Sequence, residues 1–264
     1  VLADNGTLYW YGDAKNIAYA QIIFDKHFNL LNSLVWENTN DHKQQIRFNP
    51  DLRTFAPLTE RILVYSNEMG WDTPLSLVYQ NENCFAEIKE YLYSEAEALK
   101  MTWKEINRDL LRTTFEGGGG RAYNMLRRTR TRWDFPDEEN YKKLQKSGRF
   151  QKSYEQLKKE YENMMRPFNN ERFYGDVIRI PNYETGNHEH DTPKPEKLTR
   201  EIILISSRPN DLILVPFAGS GTECAMAIKE NRNFIGFEIN EKHVNYGNKR
   251  TDNIKAQPSL FAVS

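Results

Sequence analysis

Apolar and polar positions divide the chain into segments of different period. After the Asn5-Gly6 turn, residues 7–11, TLYWY, form a β-rich run. Residues 14–28 place Ile17, Ala18, Ala20, Gln21, Phe24 and His27 over successive helical turns. Residues 30–36, LLNSLVW, and 59–66, TERILVYS, read as two more strands. Between them, residues 38–57 are polar with few apolar anchors, and a loop of that length is usually functional or mobile. Strand, helix, strand, loop and strand suit half of an α/β sheet.

The pattern changes at about residue 81. Over 85–99, Phe85, Ile88, Tyr91, Leu92 and Leu99 mark a helical apolar stripe. Thr102, with Glu105 three residues later, predicts a capping box opening a second helix through Trp103, Ile106 and Leu110. A glycine run at 117–120 leads into a short basic helix over 121–128, which Trp133 and Phe135 can pack down. Residues 137–165 form a highly charged helical region anchored by Tyr141, Leu144, Phe150, Tyr154, Leu157, Tyr161 and Met164, with Pro167 as its stop. Strand character returns at 173–180, HEHDTPKP at 188–195 is a loop, and 196–207 is a helix that ends before Pro209 and Asn210. Residues 241–250 make a last helix, and 251–264 show little pattern. The chain therefore reads as one α/β domain in two pieces, 1–80 and 172–264, around a helical insertion at 81–171.

The richest stretch is 211–240, DLILVPFAGSGTECAMAIKENRNFIGFEIN. A buried strand runs into a glycine turn, then a helix, then a second strand ending in an acid, which is a βαβ unit suited to an adenosine-containing cofactor. Phe217, Ala218, Gly219, Ser220, Gly221 and Thr222 make the turn, where glycine permits a tight bend and close ligand approach. Glu238 closes the next strand, where a carboxylate can accept both hydrogen bonds of a ribose diol. The Gly-Lys-Ser/Thr of a Walker A loop is absent, and Cys224 stands where a dinucleotide fingerprint has its last glycine. Taken alone, FAGSGT would also suit a purely structural turn; Glu238 and the strand–helix–strand setting favour the cofactor.

Composition narrows the class. The 264 residues suffice for one α/β domain plus a modest module, with 39% hydrophobic and 28% charged residues as in globular proteins. Cys84 and Cys224 form no CxxC pair, which argues against a zinc knuckle or disulfide framework and for a reducing compartment. Both read as buried small hydrophobes. No apolar run approaches a membrane span, and no signal peptide is visible. A net charge of -1 gives the whole molecule no attraction for polyanions. Locally, however, RAYNMLRRTRTR at 121–132 carries Arg121, Arg127, Arg128, Arg130 and Arg132 without an acid, and it is local charge that neutralises phosphates.

With these residues in place, the chain resembles the amino-methylating DNA methyltransferases of the permuted class, in which the cofactor motif follows the catalytic one. TPKP at 192–195, NDLILVPFAGSGTECAMAI at 210–228 and NRNFIGFEI at 231–239 resemble the family's late signature, while DNGTLYWYG, FNLLNSLVWENTN and TERILVYSN resemble its first-half strands. The match covers about 1–67 and 173–250. It implies a Rossmann-like, S-adenosylmethionine-dependent α/β sheet flanked by helices, with a mostly helical inserted domain. It implies S-adenosylmethionine as cofactor, S-adenosylhomocysteine as product and no metal. The cofactor residues would be Phe217, Ala218, Gly219, Ser220, Gly221, Thr222 and Glu238, with Asp191, Thr192, Lys194 and Pro195 lining the pocket from the preceding loop. Val215 stands where the family usually has an acid, which suggests weaker or rearranged binding at the methionyl end. The catalytic Asp/Asn/Ser-Pro-Pro-Tyr tetrapeptide does not occur in 1–264, and it is expected in sequence preceding Val1. His188 and His190 lack a carboxylate cluster that would make them metal ligands.

The insertion takes the place of the family's target-recognition region, and 85–135 also resembles the helix-turn-helix domain of phage-type repressors. GRAYNMLRR would be the reading helix, with Arg121, Asn124 and Arg127 at base edges and Lys104, Arg128, Arg130 and Arg132 on phosphates. A solvated basic surface is the alternative. Lys43, Arg47 and Arg53 of the polar loop could touch DNA backbone. Residues 137–165 are structural or a dimer arm, so a homodimer joins duplex DNA among the expected partners, with no membrane. The expected activity is methylation of adenine N6 in duplex DNA within the cytoplasm of a bacterial or phage-infected cell, alone or beside a restriction nuclease. A cytosine-N4 enzyme, a non-catalytic DNA-binding regulatory subunit and an RNA methyltransferase are the alternatives.

Overall fold

The computed structural model describes residues 2–40, 44–67, 85–113, 120–128, 133–169, 171, 175–182 and 194–256. The chain divides into two compact units, residues 1–67 with 167–264, and residues 68–166.

In the first unit, β1 (Thr7–Asp13), β2 (Asn29–Glu37), β3 (Thr59–Ser66) and β4 (Val177–Arg179) form a sheet of order β1-β3-β2-β4. Strand β3 lies antiparallel between β1 and β2, with Trp10 opposite Leu63 and Leu34 opposite Ile62, and β4 runs parallel to β2. Its central place explains the near-continuous apolar run ILVY, since both faces are covered. One face gathers Trp36, Ile62 and Ile178 with Tyr9, Tyr11 and Leu34. On the other, Phe24 of α1 (Ile17–Phe24) packs against Trp10 and Tyr65. Helix α1 is shorter than the helical spacing of 14–28 suggests. The Asp13 carboxylate accepts the Lys15 and Asn16 amides and holds 14–16 as a turn.

A second sheet pairs β5 (Leu212–Val215) with β6 (Asn233–Gly236) in parallel, with α8 (Thr222–Lys229) as the crossover. Helix α7 (Glu196–Ser206) serves both sheets: Leu198 and Ile202 join the core around Trp36, and Ile203 packs with Ala225 and Met226 of α8. The last helix, α9, runs Glu241–Ala256, beyond the patternless start expected at 251. Thr251 is buried and Ile254 packs on Ile203, Ala225 and Met226, so the final turns are held by tertiary contacts that a weak local pattern does not reveal.

The second unit is helical. Its described helices are α2 (Ala86–Ala98), α3 (Trp103–Glu105), α4 (Gly120–Leu126), α5 (Glu138–Gln145) and α6 (Tyr154–Met164). Ile88, Leu92, Ile106, Leu111, Met125, Leu126, Tyr141, Leu144, Phe150 and Leu157 form its core. The capping box is present in both halves: the Glu105 amide donates to Thr102 Oγ1 and the Thr102 amide to Glu105 Oε2. After one turn the helix widens into a π-helix over Ile106–Leu111 and ends at Arg112 with φ +55. Asn107 explains the departure. Its Nδ2 donates to the Trp103 carbonyl, and its Oδ1 accepts the Ala122 amide at 2.9 Å and the Thr113 hydroxyl. The charged helical region 137–165 holds two helices. Gly148 and Phe150 take φ of +77 and +57 between them, and Ser153 caps the second.

Candidate functional site

After Val215 the chain must reverse from β5 into α8. The Ala218 amide donates to the Phe237 carbonyl and the Ala218 carbonyl accepts the Gly221 amide, which stitches the turn to the end of β6. Gly219 and Gly221 take φ of +51 and +71, a region that a Cβ disfavours. A Cβ on Gly221 would also lie 3.1 Å from the Gly247 Cα of α9, and one on Gly236 would lie 2.9 Å from Cys224 Sγ. These glycines let helix, strand and turn approach closely. Cys224 is buried and free, its thiol pushed up to about 11 by burial, so it stays protonated at neutral pH.

Glu238 reaches back across this turn. Its Oε2 accepts the Gly219 amide at 2.8 Å and its Oε1 accepts the Asn240 amide at 2.8 Å. The Asn240 amide holds the carboxyl below the usual glutamate range; burial opposes this and the Gly219 amide adds to it. Each carboxylate oxygen keeps acceptor capacity beyond its backbone bond, so a vicinal diol could still be received. Position 215 supplies no carboxylate: Val215 is buried and its carbonyl accepts the Phe237 amide. Phe217 is 75% exposed, yet its ring meets Trp10 of β1 edge-on at 5.9 Å. The turn therefore sits beside the first sheet.

Behind the turn, Ser220 and Thr222 are buried with their hydroxyls 3.3 Å apart. Arg250 of α9 donates through Nη1 to the Ser220 carbonyl at 3.3 Å and Thr222 Oγ1 at 3.1 Å, and through Nη2 to Glu196 Oε1 at 2.7 Å. Lys229 donates to the other Glu196 oxygen. Burial would raise the Glu196 carboxyl, but the bonds from Lys229 and Arg250 outweigh it and hold it low. Glu196 directly follows Pro195, which is buried and caps α7, and Lys194. Lys194 Nζ donates to Glu60 Oε2 at 2.6 Å and lies 5.2 Å and 5.5 Å from the Tyr11 and Trp36 ring centres. Burial, with Glu223, Tyr9 and Glu60 adding, pushes the Tyr11 phenol far up, so it stays neutral.

The fold thus gathers Ala218, Gly219, Ser220, Gly221, Thr222 and Glu238 at one turn, with Phe217 on its open side. Lys194 and Pro195 are linked to it through Glu196 and Arg250. Asp191, Thr192, His188, His190 and Cys84 lie outside the described residues. Sequence reasoning missed Arg250, Glu196, Glu60 and Tyr11. Arg250 and Glu196 are 54 residues apart, and no local motif marks their pairing. Trp36 belongs to the core, where its Nε1–H donates to the Ile180 carbonyl.

The basic helix is less bare than its sequence. Asp137 pairs with Arg121 at 2.6 Å and Glu90 with Arg128 at 2.8 Å, while Arg127 lies 4.5 Å over the Tyr123 ring. Arg121 and Arg128 keep 55% and 62% of their side chains exposed, and surface pairs of this kind are weak enough to be exchanged for phosphate. Lys104 is exposed and Asn124 half-buried. Arg47 lies against the Phe48 ring, and Arg53 donates to the Pro50 and Leu52 carbonyls of its own loop. Lys43, Arg130 and Arg132 lie outside the described residues. Among the described residues, no cluster of His, Cys, Asp and Glu could hold a metal ion, and no helix is long and apolar enough to cross a membrane.

Comparison with known proteins places these features in context. An N6/N4 methyltransferase family profile, described as DNA methylase, matches residues 1–249. Over 93 residues the chain is 44% identical to the DNA adenine methyltransferase YhdJ of Escherichia coli, covering 34% of this chain and 32% of that protein. That match spans about a third of the relative's own length. Over 199 residues it is 26% identical to the orphan methyltransferase M.BamHII of Bacillus amyloliquefaciens, covering 73% of this chain and 67% of that protein. Among solved structures, the cytosine-N4-specific PvuII DNA methyltransferase aligns with a TM-score of 0.49 at 14% identity, covering 96% of this chain and 69% of that one.

Proposed function

The chain belongs to the N6/N4 DNA methylase family, and from that premise we propose that it transfers a methyl group from S-adenosylmethionine to the exocyclic N6 of adenine in duplex DNA. One observation carries the cofactor half of the proposal: the carboxylate of Glu238, two residues past β6, bonds the Gly219 amide of the glycine turn that follows β5. That contact sets an ionised acceptor beside a turn of glycines at the head of a helix, which is the chemistry a ribose diol and an adenosine need. The residues present fit the cofactor. Glu238 would accept the ribose hydroxyls, the 217–222 turn would line the adenosine and methionine, and Lys194 and Pro195 would close the pocket from the start of α7. S-adenosylmethionine supplies an electrophilic methyl group, so the attacking exocyclic amine needs orientation rather than a covalent intermediate.

The adenine assignment is supported by the Escherichia coli relative, an adenine methyltransferase at 44% identity. The DNA assignment is supported by the family and by exposed cations on the 120–126 helix and its neighbours. In this reading Arg121, Asn124 and Arg127 meet base edges, and Lys104 and Arg128 meet phosphates. The target base would be flipped from the duplex to reach the methyl donor.

The test uses protein expressed from the complete reading frame. Calorimetric titration with S-adenosylhomocysteine should give saturable binding that Glu238→Gln weakens about 10–100-fold, the value of about one charge-assisted hydrogen bond. Equal affinity in the variant would remove Glu238 from the site. Binding of cofactor and DNA without methyl transfer would favour a regulatory subunit.

A further inference from the structure

We propose that Arg250 is a positioning residue that couples the two segments of the cofactor pocket; the proposal rests on the cofactor reading above. Arg250 reaches from α9 to the rear of the glycine turn, where it bonds the Ser220 carbonyl and Thr222 Oγ1. Its other nitrogen bonds Glu196, the first residue of α7, directly after Lys194 and Pro195. One guanidinium therefore ties the turn that would receive the adenosine to the segment that would cover it. Lys229 of α8 bonds the second Glu196 oxygen, so α7, α8 and α9 meet at one carboxylate.

The geometry suits a spacer. The Arg250 side chain is 14% exposed, while its partner Glu196 is 40% exposed, so the clamp is partly shielded from water. Guanidinium is planar and charged at any working pH, and it fixes two partners at a set angle as an ammonium cannot. Gly221 and Gly247 bring the two backbones together one turn away, so the clamp acts where α9 already touches the turn. Glu196 is held ionised by its two cations, which keeps the clamp closed at neutral pH. Its bonds to the turn go to the Ser220 carbonyl and Thr222 Oγ1, and Arg250 acts on the turn through these two residues.

The test is S-adenosylhomocysteine titration of the wild type, Arg250→Lys, Arg250→Ala, Glu196→Gln and the Arg250→Lys/Glu196→Gln double variant. Melting temperature and kcat are measured beside each. The expected result is a Kd raised roughly tenfold in Arg250→Lys and further in Arg250→Ala, with KM for S-adenosylmethionine rising in parallel and kcat at saturation little changed. Added guanidinium ion should recover affinity in Arg250→Ala and not in the wild type. The double variant should be little worse than the worse single, because each single already disrupts the Arg250–Glu196 pair. Wild-type affinity in Arg250→Ala, additive effects in the double variant, or loss of melting temperature without guanidinium rescue would each overturn the proposal. If Arg250→Ala does not fold, Glu196→Gln decides: unchanged affinity overturns the clamp, and a raised Kd at unchanged melting temperature supports it. A wild-type chain that binds no S-adenosylhomocysteine would instead bring down the cofactor reading itself.

Discussion

Replacing Gly221 by alanine adds one methyl group where the glycine turn meets the last helix. Two costs follow. The backbone at Gly221 has φ +71, and a left-handed conformation costs an L-residue about 1–2 kcal/mol. The new Cβ would then stand 3.1 Å from the Gly247 Cα, and this neighbour is helix backbone, which cannot swing aside as a side chain would. Such overpacking costs about 1–3 kcal/mol, for a total of about 2–5 kcal/mol. Gly148 is the control: it has φ +77, but a Cβ there meets nothing within 4 Å, so Gly148→Ala should cost only the backbone share of about 1–2 kcal/mol. Urea unfolding measures both, each read in the transition of the unit that carries the change. Titration with S-adenosylhomocysteine then asks whether the turn still binds. Gly221→Ala should lose measurable affinity while Gly148→Ala keeps it. Equal losses of stability at the two sites would refute the close approach of α9 to the turn as the reason for glycine there.

Other consequences are simpler to state. Asn107→Ala takes the acceptor from the Ala122 amide at the start of α4 and should destabilise the helical unit by about 1–3 kcal/mol, read as a lower urea midpoint; an unchanged midpoint would separate Asn107 from the π-helical turn. The Cys224 thiol, pushed up to about 11, should resist Ellman's reagent in the folded protein at pH 8 and react on unfolding; peptide mapping that finds native Cys224 labelled at the rate of an exposed thiol would contradict its burial. Glu196 and Glu238 both titrate below the usual 4.5, so the folded protein binds fewer protons than the unfolded chain there. Their contribution is complete above about pH 4.5 and is lost as pH falls through the lower folded values; stability that rises on acidification through this window would reverse the sign.

How much of this was legible in the sequence depends on how local the cause is. TERILVYS reads as a strand because its apolar residues fill both faces of a central position, and β3 spans the same residues. The Thr102–Glu105 capping box is a local exchange of hydrogen bonds and was found at its place. The glycine turn and Glu238 were legible for a similar reason: the strand–helix–strand unit that joins them is contiguous. What escaped depends on partners far along the chain. The π-helical turn follows from Asn107 meeting Ala122, fifteen residues on. The division of 137–165 rests on left-handed residues near Gly148 that the charged helical pattern hid. The basic segment lacks acids in sequence, yet Glu90 and Asp137 approach it from other helices. The Arg250 clamp joins three helices and leaves no trace in periodicity.

The most direct measurement is transfer of tritiated methyl from S-adenosylmethionine to unmethylated duplex DNA by protein from the complete reading frame, followed by digestion and nucleoside chromatography. The expected result is label in N6-methyladenine, lost when an excess of S-adenosylhomocysteine is present. Label in N4-methylcytosine would contradict the choice of base, and saturable binding of cofactor and DNA with no label in either nucleoside would contradict the assignment of methyl transfer to this chain.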